Sequence, residues 1–247
     1  METATVKSAA RAIQVLEFFD AAKRASAVAA VADHYGWPHS STSVLMRTLV
    51  TLGYLHYDAS DRTYMPSMRV ALLGDWLHES LLAHGRLSTL LQDLHRDTHE
   101  TVVLAAQNGR HSQYLRVIEG TNTLRMHLQH GMLRPLLTSG TGRILMTQME
   151  AGMVRKLVRK HNLREDQDQP LDAEQVLAQI AEDRARGYAF SKNRITAHAG
   201  LIAMVLPTSA SGKPLAIGLA GLTERLVANE QRYVAAMHDA IVSLAAI

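Results

Sequence analysis

Residues 36–64 constrain the fold of this chain more than any other segment. The stretch GWPHSSTSVLMRTLVTLG places Pro38 where a helix begins, and proline is tolerated in a first helical turn because its missing N–H has no intrahelical partner there. Gly53 is a typical helix stop. Three leucines recur with the spacing of one helical face: Leu45, Leu49 and Leu52. The pattern predicts a helix with a polar start and one apolar face.

A β-hairpin is predicted directly after this helix. The β-prone runs at 54–57 and 63–64 flank the polar sequence DASDR, which favours a turn. Upstream, apolar residues at helical spacing predict helices at 8–20 and 27–35, the second capped by Ser26. Three helices followed by a hairpin are typical of a winged helix-turn-helix, in which the hairpin is the wing.

The start of the third helix carries four small hydroxyl residues at positions 40–43. Exposed hydroxyls and a helix N-terminus suit contacts with phosphates and base edges in a major groove of DNA. We therefore predict DNA contacts at Arg11, His39, Ser40, Ser41, Thr42, Ser43, Arg47 and, on the wing, Arg62. The alternative is that the hydroxyl residues only cap the helix, as serine and threonine commonly do.

Composition excludes several classes of protein. The chain has 247 residues and no cysteine, which excludes disulfides, thiolate metal sites and a cysteine nucleophile. Its N-terminus lacks the apolar core and cleavage site of a signal peptide. No run approaches the ~18 apolar residues that span a bilayer. We expect a folded cytoplasmic protein that has no membrane partner.

The net charge of +3 permits DNA binding without demanding it. Residues 1–70 carry seven lysines and arginines against six aspartates and glutamates. Because nonspecific DNA affinity comes mainly from phosphate neutralisation, one such domain is expected to bind weakly. This favours an oligomer in which two or more domains act together.

A linker helix and a second domain are expected beyond residue 66. Residues 70–84 are amphipathic and more apolar than a linker needs, which favours packing on a second protomer or on the following domain. Further helices are expected at 86–98, 141–149, 151–161, 172–186 and 227–245, and strands at 101–106, 113–118, 124–129, 188–191, 201–206 and 215–219. The predicted fold class is α+β with an antiparallel C-terminal sheet. The predicted domains are 1–66, 67–85 and 86–247.

Several short motifs, in their order and spacing, resemble the IclR family of bacterial transcription regulators. The N-terminal motifs are Ser8-Ala9-Ala10-Arg11-Ala12, Gly36-x-Pro38-x-Ser40-Ser41 and Thr48-Leu49-x-x-Leu52-Gly53-Tyr54-Leu55. The C-terminal motifs are Pro135-Leu136, Gly142-Arg143-Ile144-Leu145-Met146, Arg186-Gly187-Tyr188-Ala189 and Gly200-Leu201-Ile202-Ala203. The resemblance implies a DNA-reading winged helix, a dimerisation helix and a GAF-like or profilin-like effector domain. It also implies a homodimer or a dimer of dimers, a two-fold symmetric DNA operator and a small organic acid or aromatic catabolite as effector.

This chain departs from the family pattern at three places. Val44 stands where the family often has a basic residue, and Arg47 lies one turn later. The run Lys192-Asn193-Arg194 replaces a frequent acidic pair. Gly218 and Ala220 stand where small hydroxyl residues are common. The loss of side-chain volume at these two positions favours a larger, flatter ligand such as an aromatic acid.

The candidate effector site combines a polar turn with a cationic loop. The turn that opens the helix near residue 140 offers free backbone N–H groups to an anion, although an ordinary capped helix start is the alternative. Arg194, with His198, is predicted to pair with a ligand carboxylate, unless the loop is simply solvated. The predicted effector residues are Ser139, Gly140, Thr141, Gly142, Arg143, Asn193, Arg194, His198, Ile202, Gly218 and Ala220.

Neither a metal site nor a catalytic site is predicted. His95, His99 and Glu100 cluster near a helix end, and His127 and His130 lie three apart, but their spacing supplies no closed ligand set. No cofactor is expected, because Walker and dinucleotide-binding motifs are absent, and there is no Gly-x-Ser-x-Gly elbow. The predicted function is a ligand-responsive transcription regulator of a catabolic operon for an organic acid. The alternatives are an enzyme, a sensor without sequence-specific DNA binding, and a sequence-indifferent chromosome-binding protein.

Overall fold

The computed structural model describes residues 6–73, 86–163, 170–206 and 213–245. The chain divides into two compact units, Met1–His78 and Glu79–Ile247. Within the described ranges, no helix is both long and apolar enough to cross a membrane.

The first unit is a winged helix-turn-helix, which confirms the predicted fold class. Its elements are α1 (Lys7–Ala22), α2 (Val28–Tyr35), α3 (His39–Thr51), β1 (Leu55–Asp58), β2 (Thr63–Pro66) and α4 (Met68–Leu72). Apolar side chains from every element except α4 meet in one core: Val15, Phe19, Val31, Met46, Leu49, Leu55 and Tyr64. Because α3 contributes only its apolar face to this core, its polar face remains outside.

The turn between α2 and α3 requires a glycine. Gly36 has φ of 63°, in the left-handed region, and its N–H bonds the carbonyl groups at the end of α2. A Cβ at this position would meet no atom within 4 Å. The backbone conformation, and not a lack of space, therefore selects glycine here.

The predicted cap of α2 is wrong in detail. Ala27 is the N-cap residue, and Ser26 instead pairs with the wing. The Ser26 N–H donates to the Tyr64 carbonyl at 3.0 Å, and the Tyr64 N–H donates to the Ser26 carbonyl at 2.9 Å. This two-way pairing joins the α1–α2 connection to β2.

The wing is a two-stranded antiparallel hairpin in which Leu55 faces Pro66 and Asp58 faces Thr63. At its tip the Asp58 carboxylate accepts hydrogen bonds from the Ser60 hydroxyl at 2.6 Å and the Ser60 N–H at 2.8 Å. These bonds lower the pKa of Asp58. Pro66 is the last residue of the second strand.

The start of the predicted linker helix lies within the described chain. The Ser67 hydroxyl accepts from the Arg69 N–H and donates to the Gly53 carbonyl at 2.6 Å, so it caps α4 and anchors it to the turn between α3 and β1. Residues 74–85, which hold most of the predicted helix at 70–84, lie outside the described residues.

The second unit is an antiparallel sheet with the strand order β5-β4-β3-β8-β7-β6. Its strands are β3 (Thr101–Asn108), β4 (His111–Ile118), β5 (Leu133–Pro135), β6 (Ala189–Lys192), β7 (Ala199–Val205) and β8 (Leu215–Leu222). Its helices are α5 (Arg86–Thr98), α6 (Gly140–Met146), α7 (Ala151–Asn162), α8 (Ala173–Arg186), α9 (Thr223–Ala228) and α10 (Glu230–Ala245). The fold class predicted for this domain is confirmed.

The two faces of the sheet carry different helices. Leucines of α5 and the α10 residues Tyr233 and Met237 pack on one face, against β-strand residues such as Ile217. On the other face, Ile144 and Leu145 of α6 pack against small side chains of the sheet. Helices α7 and α8 lie outside α6 and share a further apolar cluster with it.

Two predicted elements differ from the structure. Residues 124–129 form no strand, because the carbonyl of Met126 accepts from the Thr101 hydroxyl and that of Leu124 from Arg225. The edge strand is β5, which pairs with His111–Gln113. The predicted closing helix is two helices, α9 and α10, separated at Asn229.

Two glycines in neighbouring helices provide a matched test of this packing. A Cβ on Gly142 of α6 would lie 2.1 Å from the Leu136 carbonyl oxygen, whereas one on Gly152 of α7 would meet nothing within 4 Å. We expect Gly142→Ala to lower the free energy of unfolding by ~3 kcal/mol or more. Gly152→Ala should be neutral or stabilising by up to ~1 kcal/mol. Thermal unfolding followed by circular dichroism measures both, and equal melting temperatures would contradict this packing.

Candidate DNA-binding face and ligand cleft

The first turn of α3 presents two of its hydroxyl residues to solvent. Ser40 and Ser41 are exposed, and the Ser41 hydroxyl donates to the Pro38 carbonyl at 3.0 Å. Thr42 is only 1% exposed, and its hydroxyl also donates to Pro38. Thr42 therefore belongs to the folded interior, and its predicted role as a DNA contact is corrected on that ground.

Arg47 lies one turn further along the same helix. Its guanidinium donates to the Ser43 hydroxyl at 3.1 Å, so the two predicted contacts form one polar pair on the surface. Val44, between them in sequence, is 60% exposed. His39 at the helix start is exposed, with its Nε2 3.4 Å from a carboxylate oxygen of Asp33.

A groove of about 590 Å³ brings α3 and the wing together. Arg47 and Ser43 line it from the helix, and Arg62 and Tyr57 line it from the wing. Arg62 is exposed and has φ of 55°, a left-handed conformation at the tip of the hairpin. Two cations in one exposed concave surface form a site suited to phosphate.

Arg11 takes a different place from the other predicted contacts. It lies outside the groove, half-buried on α1, with its guanidinium carbon 4.7 Å from the centre of the Trp37 ring. Trp37 in turn stacks on Tyr35 at 4.5 Å. Arg11 thus supports the residues that lead into α3.

A second concave site lies in the second unit, where α6 begins above the sheet. This cleft has a volume of about 50 Å³. Three predicted residues line it, Ser139, Gly140 and Ala220, together with Tyr114, Arg134 and Ser191, which were not predicted. Ser139 caps α6, because its hydroxyl accepts from the Gly142 N–H at 3.1 Å.

The remainder of the predicted polar turn is buried beneath the cleft. The Ser112 hydroxyl donates to that of Thr141 at 2.8 Å. Gly142 has no room for a side chain beside Leu136. Both residues therefore hold α6 against its surroundings.

Arg143 is corrected from ligand contact to structural ion pair. Its Nε and a terminal nitrogen donate to the two carboxylate oxygens of Asp183 at 2.8 and 2.7 Å. Arg186 binds the same carboxylate at 2.7 Å. Asp183 has no exposed surface and Arg143 has 6%, so the charge of Arg143 is already neutralised, and the residue is not among those that line the cleft.

The cationic loop after β6 contributes different residues from those predicted. Ile195 and Thr196 line the cleft, whereas Asn193, Arg194 and His198 lie outside its lining, and all five residues are exposed. The Asn193 side chain accepts instead from the Thr223 hydroxyl at 2.8 Å.

Two strand residues were also misplaced by the sequence reasoning. Ile202 packs in the core on the opposite face of the sheet, with α5 and α10, so its predicted effector contact is wrong. Gly218 is on the cleft side, but an added Cβ would lie 3.0 Å from a methyl of Val103 and 3.3 Å from one of Leu201. Neighbouring side chains already fill the space that glycine leaves.

Comparison with known proteins covers both units. Residues 8–59 match the IclR helix-turn-helix domain, and residues 80–245 match the C-terminal domain of bacterial IclR transcriptional regulators. The chain belongs to the IclR family. It is a transcriptional regulator with a helix-turn-helix DNA-binding domain and a C-terminal effector domain.

Individual relatives agree with this IclR assignment. SauR of Cupriavidus necator, described as a probable transcriptional regulator, is 29% identical over 202 residues, 81% of this chain and 79% of that protein. The effector domain of an IclR-type regulator from Acinetobacter sp. ADP1 is 30% identical, with a TM-score of 0.61, and covers 66% of this chain and 96% of that one. An IclR regulator from Alicyclobacillus acidocaldarius has a TM-score of 0.64 at 20% identity, and the match covers 98% of both chains. At this identity the similarity supports only the fold. Such relatives are regulators and not enzymes.

The histidines considered for metal binding have other neighbours in this IclR-family chain. His95 lies against the Glu100 carbonyl, His127 against the Glu119 carboxylate, and His130 accepts from the Val117 N–H. Among the residues that the structure describes, no three histidine, aspartate or glutamate side chains converge as metal ligands.

Sequence reasoning missed Arg134 and Tyr114, which line the cleft of this IclR effector domain. Arg134 lies on the edge strand β5, where the sequence analysis predicted no strand. Burial raises the pKa of Tyr114, while the neighbouring Arg134 cation acts in the opposite direction. Tyr114 therefore remains a neutral phenol at physiological pH.

The ion pair of Arg143 gives a prediction for stability. Asp183→Ala leaves a buried guanidinium without its carboxylate, so we expect a loss of ~3–5 kcal/mol in the free energy of unfolding. Arg155→Ala breaks an exposed pair with Glu174 and should cost far less, because solvent screens an exposed ion pair. Urea denaturation followed by circular dichroism compares them. Equal costs would mean that the buried pair does not hold α6 in place.

Proposed function

We propose that this regulator binds a two-fold symmetric operator through the first turn of α3 and the wing, as a homodimer or a dimer of dimers. We further propose that a small organic acid, bound in the cleft beside α6, changes its affinity for DNA. The observation that carries the proposal is that Arg47 of α3 and Arg62 of the wing line one groove, next to the exposed Ser40 and Ser41.

The chemistry of this groove suits a DNA backbone. Arg47 uses one nitrogen on Ser43, and a guanidinium has five N–H donors, so others remain for a phosphate or a base edge. Serine hydroxyls at a helix start can bond phosphate oxygens or bases. Arg62, at the tip of the hairpin, is suited to the phosphates beside the helix.

Charge supports an oligomer as the DNA-binding form. Residues 1–70 are nearly neutral, with seven cationic and six anionic side chains, so a single copy has little general attraction for DNA. Two copies on a symmetric site double the phosphate contacts and add their binding free energies. The same near-neutrality counts against a sequence-indifferent chromosome-binding protein.

A ligand can act on DNA binding only through its differential affinity for the DNA-competent and incompetent states. An acid in the cleft would contact residues of β4, β5 and α6 and the loop after β6. We propose that one of the two states holds these elements in the arrangement that the acid prefers. The regulated genes are proposed to be those that consume the acid.

The groove predicts which cations govern DNA affinity. We expect Arg47→Ala with Arg62→Ala to weaken operator binding at least tenfold at ~150 mM salt, because two phosphate neutralisations are lost. The slope of log affinity against log salt should fall by about 2. Fluorescence anisotropy with the DNA upstream of the protein's own gene measures both.

The matched control removes the same charge from the effector domain. Lys156 and Lys160 are exposed on α7, and Lys156→Ala with Lys160→Ala should leave operator affinity within about twofold of wild type. If the control pair weakens binding as much as the groove pair, net charge and not the groove determines DNA affinity.

Symmetry is tested separately by footprinting. We expect protection of two half-sites about one or two helical turns apart, and light scattering should give a dimer or tetramer on the DNA. Uniform protection would support sequence-indifferent binding. Absence of protection together with acid binding would support a sensor without an operator, and absence of protection together with ester turnover would support an enzyme.

A further inference from the structure

We propose that Arg134 binds the carboxylate of the effector, with the Tyr114 hydroxyl as its neutral partner, and that the effector is a short-chain organic acid. This inference rests on the proposed acid-binding cleft and names the side chains that read the acid. The ligand carboxylate is then expected at the β4–β5 edge of the sheet, and not at the exposed loop that holds Arg194.

Strand register places the two side chains on the same face. Arg134 of β5 lies directly across from Ser112 of β4, and Tyr114 follows two residues later on β4. Directly opposite residues, and residues two apart, point to the same side of an antiparallel pair. The Arg134 guanidinium carbon lies 5.8 Å from the centre of the Tyr114 ring, and both residues line the cleft.

The charge in the cleft is not balanced by protein carboxylates. None of its described lining residues is an aspartate or glutamate, and Arg134 appears in none of the ion pairs found among the described residues. Arg143, in contrast, is neutralised by Asp183. A planar guanidinium accepts a carboxylate through two parallel N–H bonds, so a ligand acid would supply the missing negative charge.

Tyr114 adds a donor that keeps its proton. Burial raises its pKa, and the side chain is only 3% exposed. A neutral phenol can donate to a carboxylate without repelling it. The pair therefore offers one charged and one uncharged donor to the same anion.

The remaining walls favour a small apolar body. Met126, Leu128 and Leu201 also line the cleft. A volume of about 50 Å³ corresponds to roughly three or four water molecules. A carboxylate with two or three further heavy atoms fits that space, whereas the ring of an aromatic acid is larger than it.

The test is calorimetric titration of the full chain with sodium pyruvate, sodium benzoate and the uncharged methyl pyruvate. We expect pyruvate to bind, benzoate to bind at least tenfold more weakly and methyl pyruvate not to bind. Arg134→Met should weaken pyruvate binding at least tenfold, Arg134→Lys less, and Tyr114→Phe severalfold.

Arg116→Met is the matched control, because Arg116 is an exposed cation on the same strand, β4. Arg116 lies across from Leu104, which packs on the face of the sheet away from the cleft. The control variant should bind pyruvate as wild type does, and circular dichroism should show that all variants fold. The proposal is overturned if wild type binds neither anion, if methyl pyruvate binds equally well, or if Arg194→Ala and not Arg134→Met abolishes binding. Tighter binding of benzoate overturns the short-chain assignment.

Operator affinity measured without ligand separates this inference from the proposed function. Arg134→Met should bind operator DNA as tightly as wild type, since Arg134 lies in the effector domain. If wild type binds pyruvate but no operator, the proposed DNA binding is wrong and the role of Arg134 is still supported. If wild type binds the operator but none of the acids, only the proposed role of Arg134 is wrong.

Discussion

The effector domain depends on how closely the seven-residue helix α6 approaches the sheet. Gly142 lies against the backbone of Leu136, and Gly140 lies so near Leu201 that a Cβ would be 2.9 Å from its Cδ2. The buried Arg143–Asp183 pair holds the same helix from the α8 side. An incomplete buried ion pair is strongly destabilising, so these groups act together. The position of the cleft follows from this packing, because the cleft opens where α6 begins.

In the DNA-binding unit, too, packing contacts fix the elements that present the polar groups. Ser26 pairs with Tyr64 of the wing, and Trp37 is held between Tyr35 and Arg11. These contacts position the start of α3 relative to the wing. Side chains on elements that are locked by packing lose less freedom when they bind, which favours affinity and specificity.

Sequence reasoning predicted most elements of both units because their signals are local. The strands predicted at 101–106 and 113–118 meet at Asn108-Gly109, a sequence that favours a hairpin turn. The helix predicted from residue 172 begins with the aspartate cap of Asp172. The strand expected at 124–129 is absent because distant side chains, Thr101 and Arg225, bind its carbonyl groups. No pattern within those six residues reveals such partners.

For the candidate sites as well, residues with a local signal could be predicted and residues that depend on distant partners could not. Helical periodicity separates the polar face of α3 from its core face, so Ser40, Ser41 and Arg47 could be named from the sequence, and only Thr42 was placed on the wrong side. In the effector domain the charge of an arginine is visible in the sequence, but its partner is not. Arg143 meets Asp183 forty residues later, and Arg134 reaches Tyr114 across two strands.

The sequence by itself determined the family, the winged helix and the alternation of strands and helices, because periodicity, caps and turns act over a few neighbouring residues. Tertiary structure alone decided which cations are neutralised and which remain available to a ligand. Ion pairing and burial depend on residues far apart in the chain, and strand register determines the face on which each side chain lies.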